Sequence, residues 1–255
     1  MSVLEGKVAL VTGAGAGLGQ AIAVQLAKAG ASVAVIDLNE GATRETLDKL
    51  EGFAMVGRSY LCDVSDGAQV DETWAAAAKD FGRLDIVVNN AGVSFVGPLI
   101  IDTTDAAWHK SINVMQTGVF YGMRAAARLM IPQGSGSVVN ISSIRGFSPN
   151  PGRIAYCAAK AAVLMMTKVA AGEWAPHGVR ANAIAPGVQK TPMWDTDVAN
   201  GIFDEGEFLK LIPAGKLGDP NDVGELVVYL SSDAAKYMNG SCITIDGALT
   251  SVPLG

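Results

Sequence analysis

The sequence predicts an α/β fold in which helices cover both faces of one doubly wound parallel sheet. Short runs of β-branched apolar residues, typical of strands buried on both faces, alternate with helix-length segments rich in alanine and leucine. This alternation indicates parallel strands, because each crossover returns across the sheet through a helix. The chain has 255 residues, 49% of them hydrophobic, and no composition break, so we expect a single domain over 1–255.

Six apolar runs are predicted strands. They are residues 8–11, 33–36, 86–88, 138–141, 179–184 and 242–245. The predicted helices between them include 18–29, 68–80, 123–130 and 158–173. Ligands of open α/β sheets bind beyond the carboxyl ends of the strands, so we expect the functional site at that edge.

Composition and charge exclude several function classes. The formal charge of −6 disfavours broad attraction to nucleic acid or anionic lipid. The first seven residues lack the apolar core of a signal peptide, and Lys168 interrupts the apolar stretch 161–171, so we expect no membrane segment. Three cysteines without a CxxC pair fit reduced thiols in a cytoplasmic protein, and two isolated histidines predict no metal site.

A glycine-rich turn follows the first predicted strand. Gly13, Gly17 and Gly19 would let the backbone approach a phosphate and let the next helix pack closely. Their spacing is G-x-x-x-G-x-G rather than GxGxxG, so the turn alone also fits a purely structural loop. Asp37 ends the second predicted strand, where a carboxylate can accept hydrogen bonds from the adenosine ribose of a dinucleotide.

The charge of Asp37 favours NAD over NADP, because it would repel a 2′-phosphate. No Arg or Lys occupies positions 14–16 or 38 to attract that phosphate. The alternative is that Asp37 caps a helix predicted over 39–50.

Tyr156 and Lys160 are four residues apart on a predicted helix and therefore project from one face. A phenol with a pKa of about 10 is a poor base at neutral pH. A nearby ammonium and an oxidised nicotinamide would lower that pKa, which makes Tyr156 a candidate general acid/base. Ser143, thirteen residues earlier, would donate a hydrogen bond to the reacting oxygen.

These features together resemble the short-chain dehydrogenase/reductase family, in the group with TGxxxGxG, NNAG and YxxxK motifs. The motifs lie at residues 12–19, 89–92 and 156–160, followed by Pro-Gly at 186–187. The resemblance implies a Rossmann-type fold, NAD as cofactor and a homotetramer. It also implies that Asn113 supports a water and proton relay to the lysine, although the residue alone reads as a structural one that bends a helix.

The predicted site combines these residues with others that the resemblance implies. The predicted catalytic residues are Asn113, Ser143, Tyr156 and Lys160. The predicted cofactor-binding residues are Gly13, Gly15, Gly17, Leu18, Gly19, Asp37, Leu38, Asp63, Val64, Asn89, Ala91, Gly92, Tyr156, Lys160, Pro186, Gly187, Val188 and Thr191. The predicted substrate residues are Ser143, Arg145, Arg153 and Trp194.

Substrate charge is the open question. Arg145 lies two residues after Ser143 and Arg153 three before Tyr156, so both would flank the reacting oxygen and could clamp a carboxylate, sulfonate or phosphate. The alternative is that they are solvated loop residues or contacts between subunits. Candidate apolar walls are Phe95, Val96, Phe147 and Trp194. Residues 188–216, with a short helix predicted at 202–211, resemble the family's substrate lid, which excludes water. We expect the acidic residues of this segment to be solvated.

The primary hypothesis is an NAD-dependent dehydrogenase of a small secondary alcohol, preferentially an anionic hydroxy compound. The alternatives are a neutral sugar or polyol dehydrogenase, a 3-oxoacyl-thioester reductase, and an NAD-binding regulatory or scaffold protein. Asp37 disfavours the thioester reductase, and the filled catalytic positions disfavour the scaffold. The expected partners are a small-molecule substrate and further copies of the chain, with no nucleic acid and no membrane.

Overall fold

The computed structural model describes residues 2–53, 55–93 and 96–251. Seven parallel strands form one sheet: β1 (Val8–Thr12), β2 (Ser32–Asp37), β3 (Gly57–Leu61), β4 (Ile86–Asn89), β5 (Gly136–Ile141), β6 (Val179–Pro186) and β7 (Cys242–Ile245). Their order across the sheet is β3-β2-β1-β4-β5-β6-β7. The predicted fold class, a doubly wound parallel sheet with helices on both faces, is confirmed.

The helices alternate with the strands as predicted. They are α1 (Gly17–Lys28), α2 (Glu40–Leu50), α3 (Gly67–Phe81), α4 (Asp105–Ile112), α5 (Gly118–Gln133), α6 (Ile154–Trp174), α7 (Pro192–Ala199), α8 (Glu205–Lys210) and α9 (Pro220–Ser231). The four predicted helices overlap α1, α3, α5 and α6. β3 was not among the predicted strands, because this polar edge strand pairs only with β2 and leaves most of its side chains exposed or half-buried.

Both faces of the sheet bury an apolar layer. Val8 and Leu10 of β1 pack into one layer with α3, α5 and α6, whereas Ala9 and Val11 pack into the other with α1 and α9. Successive strand residues point to opposite faces, so a strand covered on both sides is apolar throughout. This arrangement explains why the central strands are continuous apolar runs.

The parallel pairing brings the carboxyl ends of the strands to one edge. β1, β2, β4, β5 and β6 end there at Thr12, Asp37, Asn89, Ile141 and Pro186. The chain leaves β1 toward β2 on one side and later returns through β4 on the other, so the strand order reverses beside β1. Such a reversal is where open α/β sheets form a ligand crevice.

The segment Ile154–His177 is apolar and long enough to span a membrane by composition, with a mean hydropathy of 1.4. Within it, α6 buries Val163, Thr167 and Ala170 against the sheet and also buries Lys160. A core helix of an α/β domain meets the same length and hydropathy criteria, and these contacts are those of a core helix.

Candidate active site

A cavity of about 430 Å³ opens at the carboxyl edge of the sheet. It extends from the glycine turn, past the ends of β5 and β6, to the 188–216 segment. The predicted residues that line it are Gly13, Gly17, Leu18, Gly19, Asp37, Gly92, Ser143, Arg145, Arg153, Tyr156, Lys160, Pro186, Gly187, Val188, Thr191 and Trp194. The structure therefore brings both predicted halves, the phosphate turn and the proton-transfer group, into one cavity.

The glycine turn has room for backbone only. Gly13 and Gly17 have φ values of +63° and +55°, in the left-handed region that favours glycine. A Cβ at Gly13 would lie 2.8 Å from the Cα of Ala91, and a Cβ at Gly19 would overlap the carbonyl oxygen of Gly13. The backbone N–H groups at the start of α1 are thus accessible from the cavity, which fits a dinucleotide pyrophosphate.

Thr12 and Asn90 brace this turn from the neighbouring strand ends. The Thr12 hydroxyl accepts hydrogen bonds from the backbone N–H groups of Asn90 (2.9 Å) and Ala91 (3.0 Å). The Asn90 amide donates to the carbonyls of Thr12 (2.9 Å) and Gly13 (3.2 Å). Asn90 also lines the cavity, as the resemblance implies for the 89–92 motif.

Asp37 lies between the turn and α2. Its carboxylate accepts hydrogen bonds from the backbone N–H groups of Gly15 (3.0 Å), Leu38 (2.8 Å) and Asn39 (3.1 Å). The helix-cap alternative is wrong, because Asn39 caps α2 by accepting from the backbone N–H of Ala42 at 3.1 Å. A carboxylate has about four acceptor sites, so Asp37 retains capacity for a ribose hydroxyl.

Some predicted cofactor residues lie around the cavity rather than in its lining. They are Gly15, Leu38, Asp63, Val64, Asn89 and Ala91. The Asn89 amide faces the core and donates to the Asn140 side chain at 2.8 Å. The Asp63 carboxylate accepts from the backbone N–H and hydroxyl of Ser65. These two side chains support neighbouring elements in the structure.

Three buried polar contacts hold α6 against the end of β5. The Asn140 amide donates to the Thr167 hydroxyl at 2.9 Å, and the Ser142 hydroxyl donates to the Lys160 carbonyl at 2.8 Å. The Lys160 ammonium donates to the Ile141 carbonyl at 2.8 Å. The helix that carries Tyr156 and Lys160 is therefore fixed to the strand end that carries Ser143.

Ser143, Tyr156 and Lys160 come together as predicted. Ser143 and Tyr156 are hydrogen bonded, and the Lys160 Nζ lies 5.7 Å from the centroid of the Tyr156 ring. The Ser143 hydroxyl also accepts from the Arg145 backbone N–H at 3.1 Å. An exchangeable hydroxyl, a phenol and an ammonium at one point are the groups required for proton transfer to or from an alcohol.

Burial dominates the pKa values at this point. It raises the pKa of Tyr156 above its usual value, while the hydrogen bond with Ser143 and the charges of Arg153 and Arg145 lower that pKa. The sequence predicts that Lys160 lowers the tyrosine pKa, but the groups that lower it in the structure are Ser143, Arg153 and Arg145, and burial outweighs them. Burial also lowers the pKa of Lys160, to about 8.

Asn113 is not in the cavity lining. It begins a π-helical turn, Asn113–Thr117, in which its carbonyl accepts from the N–H of Gly118. The side chain is exposed, and the turn packs against α6. The structure thus brings three of the four predicted catalytic residues together and places the fourth at an irregular turn on the neighbouring helix.

Arg145 and Arg153 both line the cavity beside Tyr156. Burial lowers the pKa of each guanidinium, and the charge of Arg153 further lowers the pKa of Arg145. The guanidinium carbon of Arg153 lies 5.1 Å from the centroid of the Phe203 ring. These positions exclude the alternative that both are fully solvated loop residues.

The 188–216 segment contains two helices, α7 and α8, where one was predicted. Trp194 stacks on Phe203 with 5.1 Å between ring centroids and meets the edge of Phe208 at 5.1 Å. Its indole N–H donates to Glu205 at 2.8 Å, and Lys190 pairs with the same carboxylate at 3.0 Å. This aromatic cluster forms one wall of the cavity.

Several lining residues were missed by sequence reasoning. They are Met115, Asn150, Gln189, Phe203 and Phe208. Met193, beside Trp194, lines the cavity as well. Asp197, which was expected to be solvated with the other acidic residues of this segment, is half-buried in the lining. Gln189 is 8% exposed, and its Oε1 is buried with no hydrogen-bond partner in the described part of the chain. Among the predicted apolar walls, Val96 and Phe147 are exposed outside the lining, and Phe95 lies outside the described residues. The described ranges contain no cluster of three metal-ligating side chains.

Comparison with known proteins finds relatives that are dehydrogenases of alcohols and diols. A family model described as enoyl-(acyl carrier protein) reductase matches residues 13–250. The chain is 39% identical to 2,5-dichloro-2,5-cyclohexadiene-1,4-diol dehydrogenase of Sphingobium indicum, over 96% of each chain. It is 37% identical to D-threitol dehydrogenase of Mycolicibacterium smegmatis, over 97% of this chain and 94% of the relative. It is 34% identical to 2-(S)-hydroxypropyl-CoM dehydrogenase 3 of Xanthobacter autotrophicus, over 98% of each.

Solved structures agree in fold and differ in cofactor. Levodione reductase superimposes with a TM-score of 0.93 at 33% identity, over 98% of this chain and 99% of the other. A xylitol dehydrogenase with bound NAD⁺ gives 0.91 at 31% identity, over 96% and 99%. A chain from Agrobacterium tumefaciens with bound NADP gives 0.89 at 35% identity, over 98% of each.

Proposed function

The chain belongs to the short-chain dehydrogenase/reductase family, whose members use a nicotinamide cofactor on CH–OH groups, and we propose that it is an NAD-dependent dehydrogenase of a small secondary alcohol. The observation that carries the proposal is the shared cavity. Its one end is the glycine turn with Asp37, and its other end is the group formed by Ser143, Tyr156 and Lys160. The enzyme therefore interconverts an alcohol and its ketone.

The residues at the second end handle the proton and hold the substrate oxygen. Bound NAD supplies the acceptor for the hydride that leaves the alcohol carbon. Tyr156, as phenolate, takes the hydroxyl proton, and in the reverse direction it returns that proton to the oxygen. Ser143 donates a hydrogen bond to the same oxygen, and the Lys160 ammonium stabilises the phenolate electrostatically. Asn113 is proposed to support water beside Lys160, as the resemblance implies.

NAD is the proposed cofactor because Asp37 lies on the cavity as an acidic residue that retains an acceptor site beyond its three backbone hydrogen bonds. That site suits one ribose hydroxyl, and the carboxylate repels a 2′-phosphate. Pro186, Gly187, Val188 and Thr191 are proposed to hold the nicotinamide side. A Cβ at Gly187 would lie 2.8 Å from the Asp246 Cα, so only glycine fits this wall.

The proposed substrate is a small anionic hydroxy compound, with Arg145 and Arg153 on the cavity wall as support. A neutral polyol is the second candidate, favoured by the likeness to D-threitol dehydrogenase. The 188–216 segment is the proposed lid, because the aromatic cluster of Trp194 and Phe203 covers this end of the cavity. We refer to it below as the lid.

A cytoplasmic homotetramer is the proposed assembly. Exposed apolar side chains on α5 and α6, Phe120, Met165 and Val169, offer surface for a second copy. The three cysteines are unpaired, as expected in a reducing compartment. Light scattering during gel filtration would measure the number of copies.

Tyr156→Phe tests the function directly. The ring keeps its packing but loses its exchangeable proton, so turnover of NAD with secondary alcohols should fall by about 100- to 10,000-fold. Binding of NAD should persist, as shown by calorimetric titration. Full turnover in the variant would contradict the mechanism. Absence of turnover in the wild-type protein across acids and polyols, with NAD still bound, would favour the scaffold alternative.

A further inference from the structure

We infer that the two cavity arginines have different tasks: Arg145 binds a single anionic group of the substrate, and Arg153 is a positioning residue that holds the lid. The inference rests on the proposed function and narrows its substrate class. The substrate is then a short secondary alcohol with one carboxylate or sulfonate a few bonds from the reacting carbon.

Arg153 already has partners on the lid. Its guanidinium lies over the Phe203 ring at 5.1 Å, within the range of a cation–π interaction, and Phe203 in turn stacks on Trp194. Burial lowers the pKa of Arg153, and the groups that act against burial are first Tyr156 and then the carboxylate of Asp197, which lines the same cavity. Arg153, at the start of α6, thus contacts the lid through the ring of Phe203 and shares the cavity with Asp197 of α7.

Arg145 differs from Arg153 in its partners, because the groups that raise its pKa against burial are Cys157 and Tyr156 and include no carboxylate. In the described part of the chain no carboxylate forms an ion pair with it, and its guanidinium makes one long hydrogen bond, 3.4 Å to the Pro149 carbonyl. A guanidinium has five N–H donors, so most remain for a ligand. Burial and the charge of Arg153 both disfavour the charged form of Arg145. An anionic group of the substrate would stabilise that charged form against both effects.

The position of Arg145 limits the length of the substrate. Its backbone N–H donates to the Ser143 hydroxyl at 3.1 Å, so its side chain begins beside the residue that meets the reacting oxygen. A planar guanidinium binds a carboxylate or sulfonate through two parallel hydrogen bonds. Because Arg153 already lies over the Phe203 ring and shares the cavity with Asp197, we assign the single anionic group of the substrate to Arg145.

The test compares each acid with its neutral analogue in the NAD-saturated enzyme. The probes are 2-, 3- and 4-hydroxycarboxylic acids, their amides, and a hydroxyalkanesulfonate. We expect the wild type to prefer one of the acids or the sulfonate, by kcat/KM, over the amide. Arg145→Ala should lower that ratio by about 10- to 100-fold, the usual range for hydrogen bonds to a charged group, and Arg145→Lys should lower it less.

Arg153→Ala should act differently. Loss of the lid contact should lower kcat/KM for acid and amide in parallel and leave their ratio unchanged, and Arg153→Lys should restore part of the activity because an ammonium also binds a ring face. The charge-matched control is Arg58→Ala, an exposed arginine over Phe81 on the edge strand β3, which should change neither value.

Each failure has a distinct meaning. An unchanged acid-to-amide ratio in Arg145→Ala, or a wild type that prefers amides or polyols, would overturn the anion site. An equal loss of the ratio in Arg153→Ala would overturn the division of tasks. A wild type that binds NAD but oxidises none of the alcohols would overturn the proposed function instead.

Discussion

The two ends of the cavity are constructed differently. At the cofactor end the surface is backbone, held by Thr12 and Asn90 on strand ends and left bare where a Cβ would overlap. At the substrate end it consists of long side chains, such as Trp194 and Phe203, on short elements of the lid. The sheet positions the first surface directly, whereas the second depends on contacts between segments. We therefore expect added atoms to be tolerated only at the substrate end.

Gly19→Ala should weaken NAD binding at the cofactor end more than any other change proposed here. Its Cβ would overlap the Gly13 carbonyl oxygen, so the turn must shift, and the Kd for NAD should rise by at least about 100-fold, since several hydrogen bonds to charged oxygens are disturbed together. Fluorescence titration with NADH measures this. The control is Gly172→Ala on α6, where nothing lies within 4 Å, and binding there should be unchanged. Wild-type affinity in Gly19→Ala would show that the cofactor binds elsewhere.

Lys160→Met tests the buried lysine that lies between the cofactor end and the substrate end. The measured quantity is the pH dependence of the free energy of unfolding. Burial lowers the lysine pKa from 10.5 to about 8, so between these values the unfolded chain holds a proton that the folded chain has released. Between pH 8 and pH 10.5 the free energy of unfolding of the wild type should therefore rise with pH, by about 3 kcal/mol relative to that of the variant. Urea unfolding at pH 7 and pH 10.5 measures the difference. A pH-independent difference would show that Lys160 titrates normally.

The fold was predictable wherever burial was complete. Strands covered on both faces, such as β1, are continuous apolar runs, and five of the seven strands follow from that pattern. β7 was also predicted from its apolar run, but the expectation that both its faces are buried is wrong, because it is an edge strand with exposed and half-buried side chains. β3 has one neighbour and a mixed polar sequence, so no run indicates it. Ser143, Tyr156 and Lys160 were predictable because helix periodicity and the strand edge determine their positions.

The substrate end was not predictable in the same way. Phe203 lies between two short helices that have no extended period, and its stacking on Trp194 determines where its ring points. At Asn113 the chain leaves α-helical geometry, so its sequence spacing does not define the direction of its side chain. The net pKa of Tyr156 also depends on burial, which no motif expresses.

Asp37→Asn tests the charged side chain that is proposed to select the dinucleotide at the cofactor end. The variant keeps an oxygen for Leu38 and Asn39 but loses the charge that repels a 2′-phosphate. The ratio of kcat/KM for NAD to that for NADP should fall by about 10- to 100-fold, as for a hydrogen bond to a charged group. Glu40→Gln removes an equal charge that is exposed on α2 and should leave the ratio unchanged. An unaltered ratio in Asp37→Asn would mean that another residue selects the cofactor.

Trp194→Phe should have the smallest effect, and it tests whether the two ends are separable. A phenyl ring preserves the stack on Phe203 but removes the indole N–H that donates to Glu205, which remains paired with Lys190. Loss of one such bond should raise the KM for the alcohol by about 2- to 10-fold through a looser lid. The Kd for NAD should stay within error, because the glycine turn depends on strand ends rather than on this cluster. Equal changes in the KM for the alcohol and the Kd for NAD would show that the lid and the glycine turn act as one unit. The distinction between the cofactor end and the substrate end would then be wrong.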